Sequence, residues 1–432
     1  MTELATAPSS GSPATNRPPY RMGERELLTF VSAVMALMAL GIDLMLPAFD
    51  DIRVAFDLGV GSPETGKVIT VFFLGLAVGQ LFYGPLADRF GRKPILYAGI
   101  GIYLVGAVGS ALAPSFEMLL ASRFVWGLGA AGTRVVATSI VRDRFSGSAM
   151  ASALSQVMAV FMLVPVLAPT IGTGIIAIAP WQGVFWFCVV FALVMATWSL
   201  RMRESLDPAH RRSLNLRSTF GGYVEVARTR VTGGNMIAMM FLQGIFTTYL
   251  ASSELIVSEV FDRETQFPYI FGAVAVVFAV TAIINGRIVV RVGVDRLIDK
   301  VFVVVIALMA LSIAISLQAG GRPNFWLFMS VLALTLGSFM FLMPNLNTAA
   351  LTPVGHLAGT ASALSGSVSM AGGAVLGTIV SGYITDSTTP FSIGVGLLGA
   401  GAWITVLVVR RRSPGTVIDR PHHAVEPIAP AV

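Results

Sequence analysis

Twelve stretches of about twenty residues are almost free of charge, and they recur along the whole chain. They fall near 27–49, 66–86, 95–115, 118–140, 149–175 and 181–201, then near 236–258, 269–290, 299–318, 325–347, 357–384 and 391–409. A hydrocarbon core roughly 30 Å thick is crossed by about 20 apolar residues rising 1.5 Å each. Lipid offers the backbone no hydrogen bonds, so each run must satisfy its own amides as a helix. The spacing therefore predicts an all-α integral membrane protein with twelve transmembrane helices. The 432 residues allow about 36 for each helix and its loop, which leaves no room for a sizeable soluble domain. The runs near 149 and 357 are rich in Gly, Ala and Ser, as expected where membrane helices approach closely.

Only 12% of the residues are charged and 55% are hydrophobic, whereas a soluble domain carries about 25% charged residues. The net charge of +6 is not a nucleic-acid signature, because the basic residues alternate by loop. Twenty-three Lys and Arg fall on the side shared by both ends of the chain and four on the other. Cytoplasmic loops carry such an excess, so both termini are expected in the cytoplasm. Residues 1–26 and 410–432 read as polar, disordered cytoplasmic tails, the first without the apolar core of a secretory signal. The single Cys188 lies in an apolar run and excludes an intrachain disulfide.

A basic, polar segment at 202–232 divides the chain into two six-helix bundles, 27–201 and 233–409. A faint repeat supports the division. Gly84, Arg89 and Gly91 after the second run recur as Gly286, Arg291 and Gly293 after the eighth. Two such pseudo-symmetric halves are how secondary transporters are built.

The strongest motif is Gly84-Pro-Leu-Ala-Asp88-Arg89-Phe-Gly91-Arg92-Lys93-Pro94. It suits a tight turn, with glycines for close approach and Pro94 for the first turn of the next helix. By itself a basic turn is only a positive-inside anchor. This segment resembles the signature loop of the major facilitator superfamily at nearly every position. The resemblance implies the major facilitator fold and a conformational latch at Gly84, Asp88, Arg89, Gly91 and Arg92. That latch ties the halves together outward-facing and releases them inward-facing.

Further motifs resemble the drug:proton antiporters with twelve helices, in the bicyclomycin-resistance and chloramphenicol/florfenicol-efflux branch. Arg123-Phe-Val-Trp126-Gly127-Leu-Gly129 is similar to their fourth-helix motif, with Trp126 standing where Gln is usual. Arg123 is either embedded and paired or interfacial and snorkelling outward. Asp43, in Gly41-Ile-Asp43-Leu-Met-Leu-Pro47, is similar to the branch's first helix. A carboxylate inside an apolar run is neutral or paired, and its alternative is a water-exposed position beside Asp50 and Asp51. Pro165, Pro169 and Gly172 resemble the antiporters' fifth-helix motif, where a bend packs the halves; they equally suit an ordinary packing helix.

The resemblance implies Asp43 and Arg123 as the proton-coupling pair. Trp126, Phe161, Tyr249 and Glu254 are candidates for a substrate cavity, with core, lipid or vestibule contacts as their plainer reading. Asn345, Asn347 and the segment from Gly359 also look like this branch, as packing elements. No phosphate-binding loop, metal cluster or nucleophile elbow is present, and the four His lie in loops or tails. The expected protein is thus not an enzyme and needs no cofactor. It is a monomeric secondary transporter of the bacterial inner membrane, exporting an amphipathic drug against protons. A proton-coupled metabolite transporter and, further off, a non-transporting sensor or enzyme are the alternatives.

Overall fold

The computed structural model describes residues 22–59, 61–211 and 216–412. Twelve long helices match the apolar runs: α1 (Glu24–Asp43), α3 (Lys67–Phe90), α4 (Arg92–Ala111), α5 (Phe116–Arg144), α6 (Gly147–Ile176), α7 (Gly183–Trp198), α9 (Arg230–Leu255), α10 (Phe267–Val292), α11 (Val294–Gln318), α12 (Phe325–Leu351), α13 (Ala358–Ser381) and α14 (Thr389–Arg412). Two shorter helices, α2 (Phe49–Ala55) and α8 (Leu216–Arg228), lie between them. Helical structure is continuous from Phe325 to Ser381, 57 residues. At 1.5 Å per residue that is roughly 85 Å, far more than one crossing. The tight turn Thr352–Leu357, with Val354 off helical geometry at φ −119°, makes it two crossings. Most of the two expected tails, at 1–21 and 413–432, lies outside the described residues.

Local chemistry sets several boundaries. The Ser115 hydroxyl accepts the Met118 amide to start α5, and the Asn324 side chain accepts that of Leu327 to start α12. Between α3 and α4 the chain turns at Gly91 (φ +102°, ψ 162°); its repeat partner Gly293 makes the same turn between α10 and α11 (φ +87°, ψ 154°). Backbone in this region is essentially open to glycine alone.

The first six long helices pack on one another, α5 against α1, α3 and α4, and α1 also against α6 and α7. In the second set α9 packs on α12, α13 and α14, and α11 on α12 and α14. The sets meet along two seams, α3 with α13 and α6 with α10. Close helix approach depends on glycines: a side chain at Gly127 would meet the Phe72 carbonyl at 2.0 Å, and one at Gly75 the Phe124 carbonyl at 2.1 Å. Outward faces carry exposed apolar residues such as Phe82, Val105, Ile283 and Leu397, as helices long and apolar enough to cross a bilayer do. The protein is a multi-pass membrane protein.

The segment expected only as a polar linker carries α8. Its Tyr223 hydroxyl donates to the Leu81 carbonyl of α3 at 2.8 Å, and its Glu225 meets His356, before α13, at 3.1 Å. The linker thus touches both sets of helices.

Candidate functional site

Between the two sets lies a cavity of about 300 Å³. The walls come from α1, α3, α5 and α6 on one side and α9, α10, α12 and α13 on the other. Methionines dominate them: Met35, Met38, Met158, Met162, Met340, Met343 and Met370. Phenylalanines Phe73, Phe161, Phe246, Phe271, Phe278 and Phe339 fill the gaps. Thioethers are flexible and polarisable, so such a wall repacks around differing apolar guests. Four polar side chains interrupt it: Asp43, Arg134, Gln243 and Tyr249.

Asp43 is the last residue of α1, buried where the helix gives way to the Leu46–Ala48 turn. Pro47 lacks an amide and favours that break. Gly172 of α6 fits the break closely, since a side chain there would meet the Leu44 carbonyl at 2.2 Å. Pro165 lies in the cavity wall, and α6 continues helically through it and Pro169. The carbonyl of the adjacent Val166 faces Gly272 of α10. The fifth-helix motif therefore touches α1 and, across the seam, α10.

The start of α1 and the end of α14 lie on one side of the protein, the terminus side. On the far side the cavity is sealed. Arg53 donates to Glu254 at 2.6 Å and also pairs with Asp50; Arg53 and Glu254 are each only 3% exposed. Gly66 packs on Ala251 beside them, and the hydroxyls of Thr70 and Thr378 bond across α3 and α13. Glu254 is therefore not a cavity residue but half of a buried ion pair joining the two sets of helices. Its partner is 201 positions away and was visible in the sequence only as a loop charge.

Arg123 and Trp126 also sit outside the cavity. The Arg123 guanidinium is fully buried in the corner formed by the rings of Phe72 (4.5 Å) and Trp126 (4.7 Å), which stand at 76° to each other. Its Nε donates to the Val68 carbonyl at 3.4 Å, and both terminal nitrogens lack partners among the described residues. Trp126 meets Phe72, Tyr103 and Phe185 edge-on. An Arg at a helix centre costs roughly 2.5–3.5 kcal/mol in a bilayer. Two desolvated cation–π contacts of up to about 2 kcal/mol each offset that without a carboxylate. Arg123 is held as a packing element of the α3–α5 seam, and the structure does not bring it to Asp43.

The signature loop makes its contacts within the first set of helices. Arg92 binds Asp88 at 2.6 Å and Asp143 of α5 at 2.7 Å. Glu204, after α7, accepts the backbone amides of Arg92 (2.8 Å) and Lys93 (3.0 Å), satisfying the start of α4. A side chain at Gly91 would meet Glu204 at 2.5 Å. Arg89 is exposed, and Gly84 has open space around it. In this conformation the expected latch does not join the halves.

Of the sequence candidates, Asp43, Phe161, Tyr249 and Pro165 thus share the cavity wall. Arg134, Gln243 and the methionines were not singled out. Arg134 carried a signal, being an Arg inside an apolar run. The methionines carried none until the helices were packed.

The family model described as Major Facilitator Superfamily matches residues 31–377. The chain is 29% identical over 359 residues to a protein of Haemophilus influenzae named "Bicyclomycin resistance protein homolog", covering 82% of this chain and 89% of that one. It is 34% identical over 177 residues to "Multidrug resistance protein MdtL" of Shigella dysenteriae, 41% and 45% of the two chains. Among solved structures it is similar to a D-xylose–proton symporter, with a TM-score of 0.69 and 13% identity, covering 88% and 96% of the two chains.

Proposed function

The chain belongs to the Major Facilitator Superfamily, and from that premise we propose that it is a proton-coupled exporter of small amphipathic drugs. It is a membrane transporter, not an enzyme. The observation that carries the reading is the methionine- and phenylalanine-lined cavity between the two sets of helices, with Asp43 in its wall and the far side closed by Arg53 and Glu254. The names of the Haemophilus and Shigella relatives point to the same substrate class.

In this reading the bundles 27–201 and 233–409 rock against each other along the α3–α13 and α6–α10 seams, with 202–232 as the linker. Drug enters from the cytoplasm while Asp43 is ionised. The Arg53–Glu254 pair then parts, the signature loop closes the cytoplasmic side through Asp88, and a proton arriving at Asp43 releases the drug outside. The protein sits in a bacterial inner membrane as a monomer with both termini cytoplasmic. A proton crossing about 150 mV yields roughly 3.5 kcal/mol. That sustains a drug gradient of a few hundred-fold.

Everted membrane vesicles acidified inside provide the test, with labelled chloramphenicol and bicyclomycin as probes. Uptake that collapses when a protonophore dissipates the gradient, and that is absent from vesicles lacking the protein, supports drug:proton antiport. Uptake indifferent to the protonophore contradicts it.

A further inference from the structure

Arg53, Arg123 and Arg134 each lie near the cavity or its far-side seal, and each is kept in a different way. Arg53 pairs with Glu254 and Asp50. Arg123 packs against the faces of Phe72 and Trp126, outside the cavity wall. Arg134, on α5, has neither arrangement. It lines the cavity, is half-buried, and its guanidinium contacts only the Met370 thioether, Nη1 to Sδ 3.9 Å, with no carboxylate in range among the described residues.

The cavity contains one acid, Asp43, and it does not neutralise Arg134. Counting 1.5 Å per residue from the terminus-side ends of α1 and α5 places Asp43 roughly 28 Å deep and Arg134 about 15 Å deep. The opposite charges are therefore about 13 Å apart along the helix axes, with apolar wall between them. An arginine placed in low dielectric without a partner is costly, and such residues mark substrate paths. A planar guanidinium presents its donors in a fork that matches a carboxylate or sulfonate. The missing partner of Arg134 has the charge and shape of an anionic group on a guest whose apolar body fills the methionine-lined space.

We propose that Arg134 forms an anion subsite in the terminus-side half of the cavity, so that the amphipaths this protein binds include carboxylates and sulfonates with apolar aromatic bodies. This deepens the drug-exporter reading and rests on the cavity being the substrate site. Asp43 takes the opposite end of the guest or the proton, and Arg134 sets which molecules dock below it.

The test is binding by purified protein with no proton gradient, so that failure of coupling and failure of this subsite are separable. The probes are 6-methoxy-2-naphthylacetic acid, ionised at pH 8, and its primary amide, of the same shape without the charge. Equilibrium dialysis against detergent blanks gives both dissociation constants. The wild type is expected to prefer the acid by about 10- to 100-fold, the range of a hydrogen-bonded charged contact. In Arg134→Gln that preference collapses to near unity, while Arg134→Lys keeps part of it; thermal unfolding of each variant confirms that it is folded. Equal binding of acid and amide by the wild type overturns the proposal, as does no binding of the acid at millimolar concentration. A preference that survives in folded Arg134→Gln overturns it too. Chloramphenicol export by everted vesicles, together with no acid preference of the purified protein in the dialysis, would retain the exporter and discard the subsite.

Discussion

Arg53 and Glu254 meet at 2.6 Å on the far side of the protein, each almost wholly buried, and join two helices that are 201 residues apart in the chain. Arg53→Ala strands Glu254, a loss that costs roughly 3–5 kcal/mol in a buried pair, whereas Glu254→Gln leaves Arg53 paired with Asp50 and removes only the tie between the two sets of helices. Either loss falls on the closed far side, because opening lets water reach both groups. Both variants are expected to shift the protein toward a far-side-open state, Arg53→Ala the further. The readout is a cysteine at Phe271, in a Cys188→Ser background, reacting with an impermeant maleimide. Labelling from the far side should rise several-fold in either single variant and fall back in the double exchange Arg53→Glu with Glu254→Arg. Unchanged labelling would remove the pair from the gate.

Two glycines two residues apart in α6 should behave oppositely. A side chain at Gly172 meets the Leu44 carbonyl at 2.2 Å, whereas Gly174 has open space. Gly172→Ala should lower unfolding stability by about 1–3 kcal/mol, as overpacking does, and disturb the helix break beside Asp43. Gly174→Ala should stay within about 0.5 kcal/mol of wild type. Thermal unfolding in detergent decides it, and similar losses in both would refute the packing account.

The signature loop carries a matching contrast. Gly91→Ala forces a non-glycine residue to φ +102° and drives a side chain onto Glu204, while Gly84→Ala meets nothing. Drug uptake in vesicles should be strongly reduced in the first and near wild type in the second. Glu204→Ala should also impair uptake, since it uncaps α4 at a cost of about 1 kcal/mol.

Arg123 tests the difference between a packing cation and a coupling cation. Lysine keeps its charge but has no planar guanidinium to pack against Phe72 and Trp126. Arg123→Lys should therefore unfold more easily, by about 1–2 kcal/mol. Its drug-evoked proton release, normalised to folded protein, should match wild type. Normal stability with altered proton release would restore the role that the fourth-helix resemblance implies.

The fold was legible because a bilayer imposes length and charge rules that sequence obeys directly. Apolar runs gave the helices, and Gly84–Gly91 with Gly286–Gly293 marked the repeat that the structure realises as two matching turns. Asp43 was legible for the same reason, since a carboxylate in an apolar run is conspicuous. What escaped depends on which helix faces which. Glu254 read as a vestibule acid because its partner Arg53 belongs to another half of the chain. Trp126 read as a cavity aromatic because nothing local says that it packs edge-on against Tyr103 and Phe185 and covers Arg123. Residues 202–232 read as a plain linker because Leu216–Arg228 is short and polar on one face, and its helix is held by Tyr223 and Glu225 reaching other segments.

The central claim is that drug and proton exchange at Asp43. It is tested most directly by adding a transported drug to purified protein in weakly buffered detergent and recording proton release with a pH-sensitive dye. Wild type should release protons in proportion to drug bound, and Asp43→Asn should bind drug and release none. Equal proton release from both proteins would contradict the account and place the exchange site elsewhere.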